Sequence, residues 1–361
     1  MLGFAQAAQR LDLPVEVVSY PEFLSGNVQR PSGETLIRIE SPGECLRTTR
    51  QILLAGIARM EAEGLAPLPR AEVEQLEPAR GEIVHPRQWY YGFVRILEQV
   101  RERWAGAEVE WMSTPESIAT AFDKSACLER WSAAGLPVPR RLPHVTGYES
   151  LRSADARRHA RLFIKPRYGY SAIGAIALEW RDDRVRALTT VEVGGDKASP
   201  RLYVSKRPQA LQDEGAIAWL VDKLGEYEMV VEAWLPKDRW RGRSYDLRLV
   251  TVAGQVSHVV GRASHSPFTN LNLDAQRMSE EEVRARLGAH LPAAFALACQ
   301  GAACLPDATV LGIDLLVHPL GRKFSLLEAN AFGDYLPGLL ATGRTTYDAE
   351  LEQILARRAV A

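Results

Sequence analysis

Gly312-Ile-Asp314-Leu-Leu-Val-His-Pro-Leu-Gly321-Arg-Lys-Phe-Ser-Leu-Leu-Glu328-Ala-Asn330 sets the oxygen-bearing side chains of Asp314, Glu328 and Asn330 among aliphatic residues on either side of one short turn. Two apolar arms, Val310 to His318 and Lys323 to Ala329, flank Pro319-Leu-Gly-Arg322, which predicts a β-hairpin. Glu328 and Asn330 are two apart on a strand and therefore share a face. A turn centred near Gly321 sets Asp314 almost opposite Glu328. Two carboxylates on an apolar sheet repel each other and are costly to desolvate unless a cation lies between them. Asp314, Glu328 and Asn330 are hard oxygen ligands of the kind that suits Mg²⁺ or Mn²⁺, which keep waters and also bind substrate phosphates. The competing reading is a set of polar strand ends facing solvent.

Working outward, Leu162-Phe-Ile-Lys165 is a short strand entering the loop Pro166-Arg-Tyr-Gly-Tyr-Ser-Ala-Ile-Gly174, followed by Ala175-Ile-Ala-Leu178. A lysine ending an apolar strand, beside Gly169, Ser171 and Gly174, suits a phosphate: the lysine supplies charge, the loop amides and hydroxyl supply directional donors. The G-x-x-x-x-G-K-[ST] pattern is absent, so this is not a P-loop. Met229-Val-Val-Glu232-Ala233-Trp234-Leu235 reads as a strand that stops at Pro236. It either fills a core or offers an adenine its backbone edge between apolar side chains. Leu247 to Val252 and Val256 to Arg262 flank Ala253-Gly-Gln255 as a second hairpin. Asp246 and Arg248 share one face of it, and Arg262 ends the partner strand. An arginine there stabilises charge on a transferring phosphoryl group, and Asn270 or Asn272 can bridge metal and phosphate. Arg239, Arg241 and Arg243 form a basic loop, either solvated or gripping an anionic substrate.

The remaining helices and strands fall around these. Phe4 to Leu13, Ser41-Pro-Gly-Glu44 onward to Glu63, and Gln88 to Trp104 read as helices, the last with Phe93, Leu97, Val100 and Trp104 on one face. Val15 to Val18 and Val109 to Met112 read as strands. A helix starting at Ser113 or Thr114 carries Asp123-Lys124 and stops at Gly135. Further helices are predicted over Ala210 to Leu224, from the Ser279-x-x-Glu282 cap to about Gln300, and from Asp348. A doubly wound unit normally opens on a strand, so the opening helix implies either a missing leading strand or a start codon placed late.

Taken in order, Asp-Lys124, Ile-Lys165-Pro with its loop, Val-Val-Glu232-Ala-Trp-Leu, Asp246-x-Arg248, Arg262, Asn270, Gly-Ile-Asp314 and Glu328-x-Asn330 resemble the ATP-grasp superfamily, over roughly residues 113–340. The resemblance implies an α/β (α+β) fold in three parts: a pre-ATP-grasp α/β domain over 1–112, an N-terminal subdomain with the phosphate loop over 113–231, and a C-terminal subdomain with the metal site over 232–361. It implies that Lys124, Lys165 and Ser171 meet the phosphates of ATP. The strand Glu232 to Leu235 would hold adenine, with Glu232 or Asp238 toward purine or ribose. Asp314, Glu328 and Asn330 would hold Mg²⁺, or Mn²⁺ in its place. Arg262 and Arg248 would be catalytic, and Asn270, Asn272 and Arg243 would face substrate. The implied reaction activates a carboxylate as an acyl phosphate and joins it to an amine on a small molecule or peptide, releasing ADP. A kinase on the same fold and a non-catalytic nucleotide-binding regulator are the alternatives. Dimers are common among such enzymes.

Composition excludes other classes. The chain has 361 residues, with 44 basic against 45 acidic, so no global charge draws it to nucleic acid or a membrane surface. No apolar run reaches the length of a membrane span. Four scattered cysteines without C-x-x-C spacing fit a reduced, cytoplasmic protein without a zinc site. Ser264-His265-Ser266 lacks a G-x-S-x-G elbow, and no G-x-G-x-x-G follows a strand, so hydrolase and dinucleotide-binding readings lack support.

Overall fold

Strand β1 (Thr35–Ile37) pairs in parallel with β2 (Val109–Trp111), and the helices Leu46–Ala62 and Pro86–Arg103 lie between them in the chain. These two helices pack at backbone contact, because Gly56 faces Gln88 and Gly92 faces Ile52; a Cβ at either glycine would overlap a carbonyl oxygen. Residues Val15 to Val18, expected as a strand, are irregular, and Val15 and Val17 are exposed. An extended run needs a neighbour for its amides, and the parallel pair is built from β1 and β2 instead. The structure is a computed structural model that describes all residues except 1, 30, 32, 44, 143–144, 154–159, 170–172, 182–183, 197–198, 306, 333–340, 342 and 361.

A five-stranded antiparallel sheet follows: β3 (Arg161–Pro166), β4 (Ile176–Arg181), β5 (Arg184–Asp196), β6 (Ser199–Leu211) and β7 (Met229–Ala233), in the order β6-β5-β4-β3-β7. The helix Glu214–Gly225 covers it, burying Ile217, Leu220, Val221 and Leu224. That helix starts later than Ala210, since β6 runs through Leu211 and Asp213 caps the helix by accepting from the Ala216 amide. The division expected at 231/232 falls inside β7, so the link between the sheets is the irregular run 234–238.

The second sheet contains β8 (Arg239–Trp240), β9 (Arg243–Val252), β10 (Gln255–Ser264), β11 (Gln276–Met278), β12 (Val310–Val317) and β13 (Phe324–Asn330), ordered β11-β10-β9-β12-β13 with β8 on β9. The β9–β10 turn is Ala253-Gly254, both at positive φ (51° and 77°), the geometry a two-residue hairpin requires. In the β12–β13 hairpin Asp314 pairs with Glu328, as the turn placement predicts. Helices Pro115–Phe122, Lys124–Ala133 and Leu291–Ala303 share one hydrophobic core with this sheet, including Ile118, Leu128, Trp131, Leu249, Ile313 and Leu326. Residues 115–133, grouped by sequence with the smaller sheet, therefore pack on the larger one. They form two helices, not one, because the Asp123 carboxylate accepts from the Ser125 and Ala126 amides and caps a new start. The helix begun by the Ser279/Glu282 capping box likewise ends at Leu287, where Gly288 turns to φ 52°, and restarts at Leu291.

Candidate functional site

The two sheets face each other across a cleft lined by Lys124, Lys165, Glu232, Asp246, Arg262 and Glu328, among others. On the larger sheet the lining residues Arg262, Asp246 and Asp314 come from adjacent strands in register: Arg262 of β10 lies opposite Asp246 of β9, and Asp314 of β12 lies opposite Arg248 of β9, which is off the lining. Arg262 Nε donates to Asp246 Oδ1 at 2.9 Å and its Nη2 lies 3.0 Å from Asp314 Oδ2. Arg248 grips Asp314 through Nε and through Nη2 at 3.2 Å. All four side chains are buried. Burial alone raises the carboxyl pKa values, but Arg262 and Lys237 outweigh it at Asp246, and Arg248 and Arg262 outweigh it at Asp314, so both are held below the usual carboxylate range.

The smaller sheet supplies a different wall. Lys165 of β3 pairs with Glu232 of β7 at 2.6 Å. Burial depresses the Lys165 pKa, and Glu232, Glu328 and Asp314 more than offset this, leaving it raised. One oxygen of Glu232, Oε2, is buried with no hydrogen-bond partner among the described residues. The rest of this wall is apolar: Phe163 and Ala175 meet Phe268 from the larger half, the two rings edge to face at 5.4 Å, with Trp234 packed beside them. Lys124 donates to the Gly169 carbonyl and lies 3.8 Å from Glu328, so it bridges the phosphate-loop candidate and the metal candidate. The loop's base is fixed by Arg167, which holds Asp123 at 2.6 Å and 2.8 Å, and by Tyr168, stacked on Tyr90 at 4.1 Å.

Most of the residues singled out in the sequence converge here, including Ala233, Trp234, Leu235 and Asn270 on the lining. Three do not. Asp238 turns away to Arg286 Nη2 (2.6 Å) and the Tyr245 hydroxyl (3.0 Å), because it closes the β8–β9 side of the sheet. Arg243 donates to Gln276 at 3.0 Å on the outer surface, and Asn272 is exposed in a one-turn helix. Ser171 lies outside the described residues. Lys237 and Thr269 were not singled out, yet both line the cleft against Asp246. A lysine in an irregular linker carries no periodicity; its only signal was its place directly after the adenine-strand candidate.

Among the described residues no three His, Cys, Asp or Glu side chains cluster into a metal cage. The candidate set is two carboxylates and an amide: Asp314 and Glu328 opposite one another, and Asn330, whose amide nitrogen donates to Gly312 O at 3.1 Å and leaves Oδ1 as its acceptor. That donor set fits Mg²⁺, which takes one or two carboxylates and completes its shell with water and phosphate oxygens. No helix among the described residues is long and apolar enough to cross a membrane.

No protein-family model matches the chain, and no curated protein matches it. Solved structures do. D-cycloserine synthetase DcsG superposes with a TM-score of 0.53 at 16% identity, over 99% of this chain and 94% of that one. The ATP-grasp ligase PsnB, complexed with a phosphomimetic variant of its minimal precursor, Mg and ADP, gives 0.46 at 16% identity, over 91% and 80%. D-alanyl-alanine synthetase A from Vibrio cholerae O1 biovar eltor str. N16961 gives 0.45 at 14%, over 75% and 74%. The chain has the ATP-grasp fold.

Proposed function

We propose that the protein is an ADP-forming ligase that uses ATP to activate a carboxylate as an acyl phosphate and passes the acyl group to an amine. The observation that carries this reading is the cleft itself: Lys124, Lys165 and Arg262 converge with Asp314 and Glu328 between two sheets, one wall charged and the other apolar. Phosphoryl transfer needs little covalent help from a protein; positioning and charge neutralisation supply most of the rate. Lys165 and Lys124 stand where they can neutralise phosphate oxygens, and the amide edge of Glu232 to Leu235, with Phe163 and Phe268 nearby, suits a purine. The unpartnered Glu232 oxygen adds an acceptor for an exocyclic amine. Arg262 is aimed by two carboxylates toward the charge that develops on the acyl phosphate and on the tetrahedral species that follows. Asp314, Glu328 and Asn330 would hold Mg²⁺, which supplies charge stabilisation at phosphate oxygens. The likeness to D-cycloserine synthetase DcsG, a synthetase, favours this reading over a kinase.

Trapping tests it. Purified protein is incubated with Mg-ATP, pooled carboxylates and hydroxylamine, and hydroxamates are identified by mass. The proposal expects one hydroxamate that depends on ATP and on a single carboxylate class, formed with ADP in equal amount. ADP formation without hydroxamate, at saturating hydroxylamine and with a phosphorylated product, would replace the ligase by a kinase.

A further inference from the structure

The linker between the sheets places Lys237 where three acceptors meet: Asp246 Oδ2 at 3.0 Å, Thr269 Oγ1 at 2.7 Å and the Pro267 carbonyl at 3.3 Å. An ammonium has three N–H donors, so these contacts can use all of them. Thr269 also donates to Asp246 Oδ2, closing a triangle. The other oxygen of Asp246 holds Arg262. The loop 265–270, which leaves β10 at Ser264, is thus tied at its far end to the same carboxylate that aims the central arginine. Between the tie and β10 the loop sends Phe268 across the cleft into the apolar patch of the smaller sheet, with Phe163, Ala175 and Ala177.

We propose that Lys237 is a positioning residue: through Thr269 and Asp246 it docks the loop 265–270 over the cleft and fixes the direction of Arg262. It contacts no reacting atom, because its donors are engaged by the protein. Its work is to hold one carboxylate between a loop and an arginine. Burial lowers its pKa, Asp246 works against this, and Arg262 and Lys165 add to the lowering, so that it stands below the ordinary lysine value. An apolar substitute would leave Asp246 with Arg262 as its remaining cationic partner and remove the loop's ties through Lys237 to Thr269 and the Pro267 carbonyl. The functional half of this inference rests on the ligase reading; the docking half does not.

The test uses the full chain. Hydrogen-exchange mass spectrometry follows the segment 264–273 in wild type, Lys237→Met, Thr269→Val and Thr269→Ser. A hydrogen bond to a buried charge is worth enough to shift a local opening equilibrium by roughly 10-fold to 100-fold. Exchange in 264–273 therefore rises by about 10-fold or more in K237M and in T269V, returns to the wild-type value in T269S, and stays unchanged in the helix Leu291–Ala303. ADP formation falls by about 10-fold or more in the first two variants and recovers in T269S. Wild-type exchange in a folded K237M or T269V overturns the proposal, and T269V decides it if K237M does not fold. Faster exchange with unaltered ADP formation overturns the link to Arg262 while keeping the loop tie. A wild-type protein that forms no ADP defeats the ligase reading, and the exchange data still judge the tie.

Discussion

The two walls of the cleft are built on opposite principles. The larger sheet presents Asp246, Arg262, Asp314 and Arg248 as a cross-braced row in which each carboxylate meets at least two cationic partners. The smaller sheet presents a single ion pair, Lys165 with Glu232, among aromatic and aliphatic side chains. A buried ion network adds little net stability over an apolar core of the same shape, but it fixes direction, and removing one member leaves an uncompensated charge. An apolar wall adapts to a flat ligand and releases it. The charged wall suits chemistry that needs aimed donors; the apolar wall suits a purine.

Breaking the charged wall has the largest expected effect. Arg262→Met leaves Asp246 and Asp314 each short of a partner and costs about 3–5 kcal/mol, measured by urea denaturation. The same variant becomes acid-sensitive earlier. The folded pKa of Asp246 is depressed, so its stabilising contribution is fully present above the unfolded value near 3.9 and is lost as pH falls through the folded value. Without Arg262 the folded pKa rises toward the unfolded one, and the midpoint of acid unfolding, followed by circular dichroism, moves to higher pH. An unchanged midpoint would mean the row is not braced as described. Glu328→Gln, in contrast, leaves the row intact; it keeps stability and lowers ADP formation by about 100-fold, the scale of an aligned charge in phosphoryl transfer.

Changes on the apolar wall are smaller. Trp234→Ala weakens ATP binding by about 1–2 kcal/mol, the scale of a base–aromatic contact, with the acid midpoint unaltered. Smallest is Ser279→Ala, which removes the capping box far from both walls. It costs about 1 kcal/mol in thermal unfolding and leaves nucleotide affinity where it was. If Ser279→Ala altered affinity as much as Trp234→Ala does, the distinction between the walls would collapse.

The charged wall was also the more legible in sequence. Period-two alternation and the turn placed near Gly321 set Asp314 against Glu328 without any tertiary information, whereas the pairing of Arg262 with Asp246 depends on a register shift between Val256 and His258 that the sequence did not announce. Features that depend on distant partners were not legible. The hairpin of β5 and β6, thirteen residues each, was not anticipated, since its strands mix charged and small residues without a clean alternation. Val15 to Val18 looked extended but finds no neighbouring strand among the described residues. The helix breaks at Asp123 and Gly288 are local, yet each sits inside an apolar pattern that continues across it. Asp238 was assigned to the nucleotide on proximity in sequence, and Arg286, 48 residues away, claims it instead. Lys237 has no pattern of its own; only the folded loop brings Thr269 and Pro267 to it.

The most direct test is isothermal titration of the wild-type chain with the non-hydrolysable analogue of Mg-ATP, repeated without Mg²⁺ and with Lys165→Met and Glu328→Gln. One site per chain is expected. Affinity should fall by about 10-fold or more in Lys165→Met, and the benefit of Mg²⁺ should vanish in Glu328→Gln. No heat and no binding in the folded wild type, or equal affinity in all three proteins with and without Mg²⁺, would contradict a nucleotide–metal cleft between the two walls.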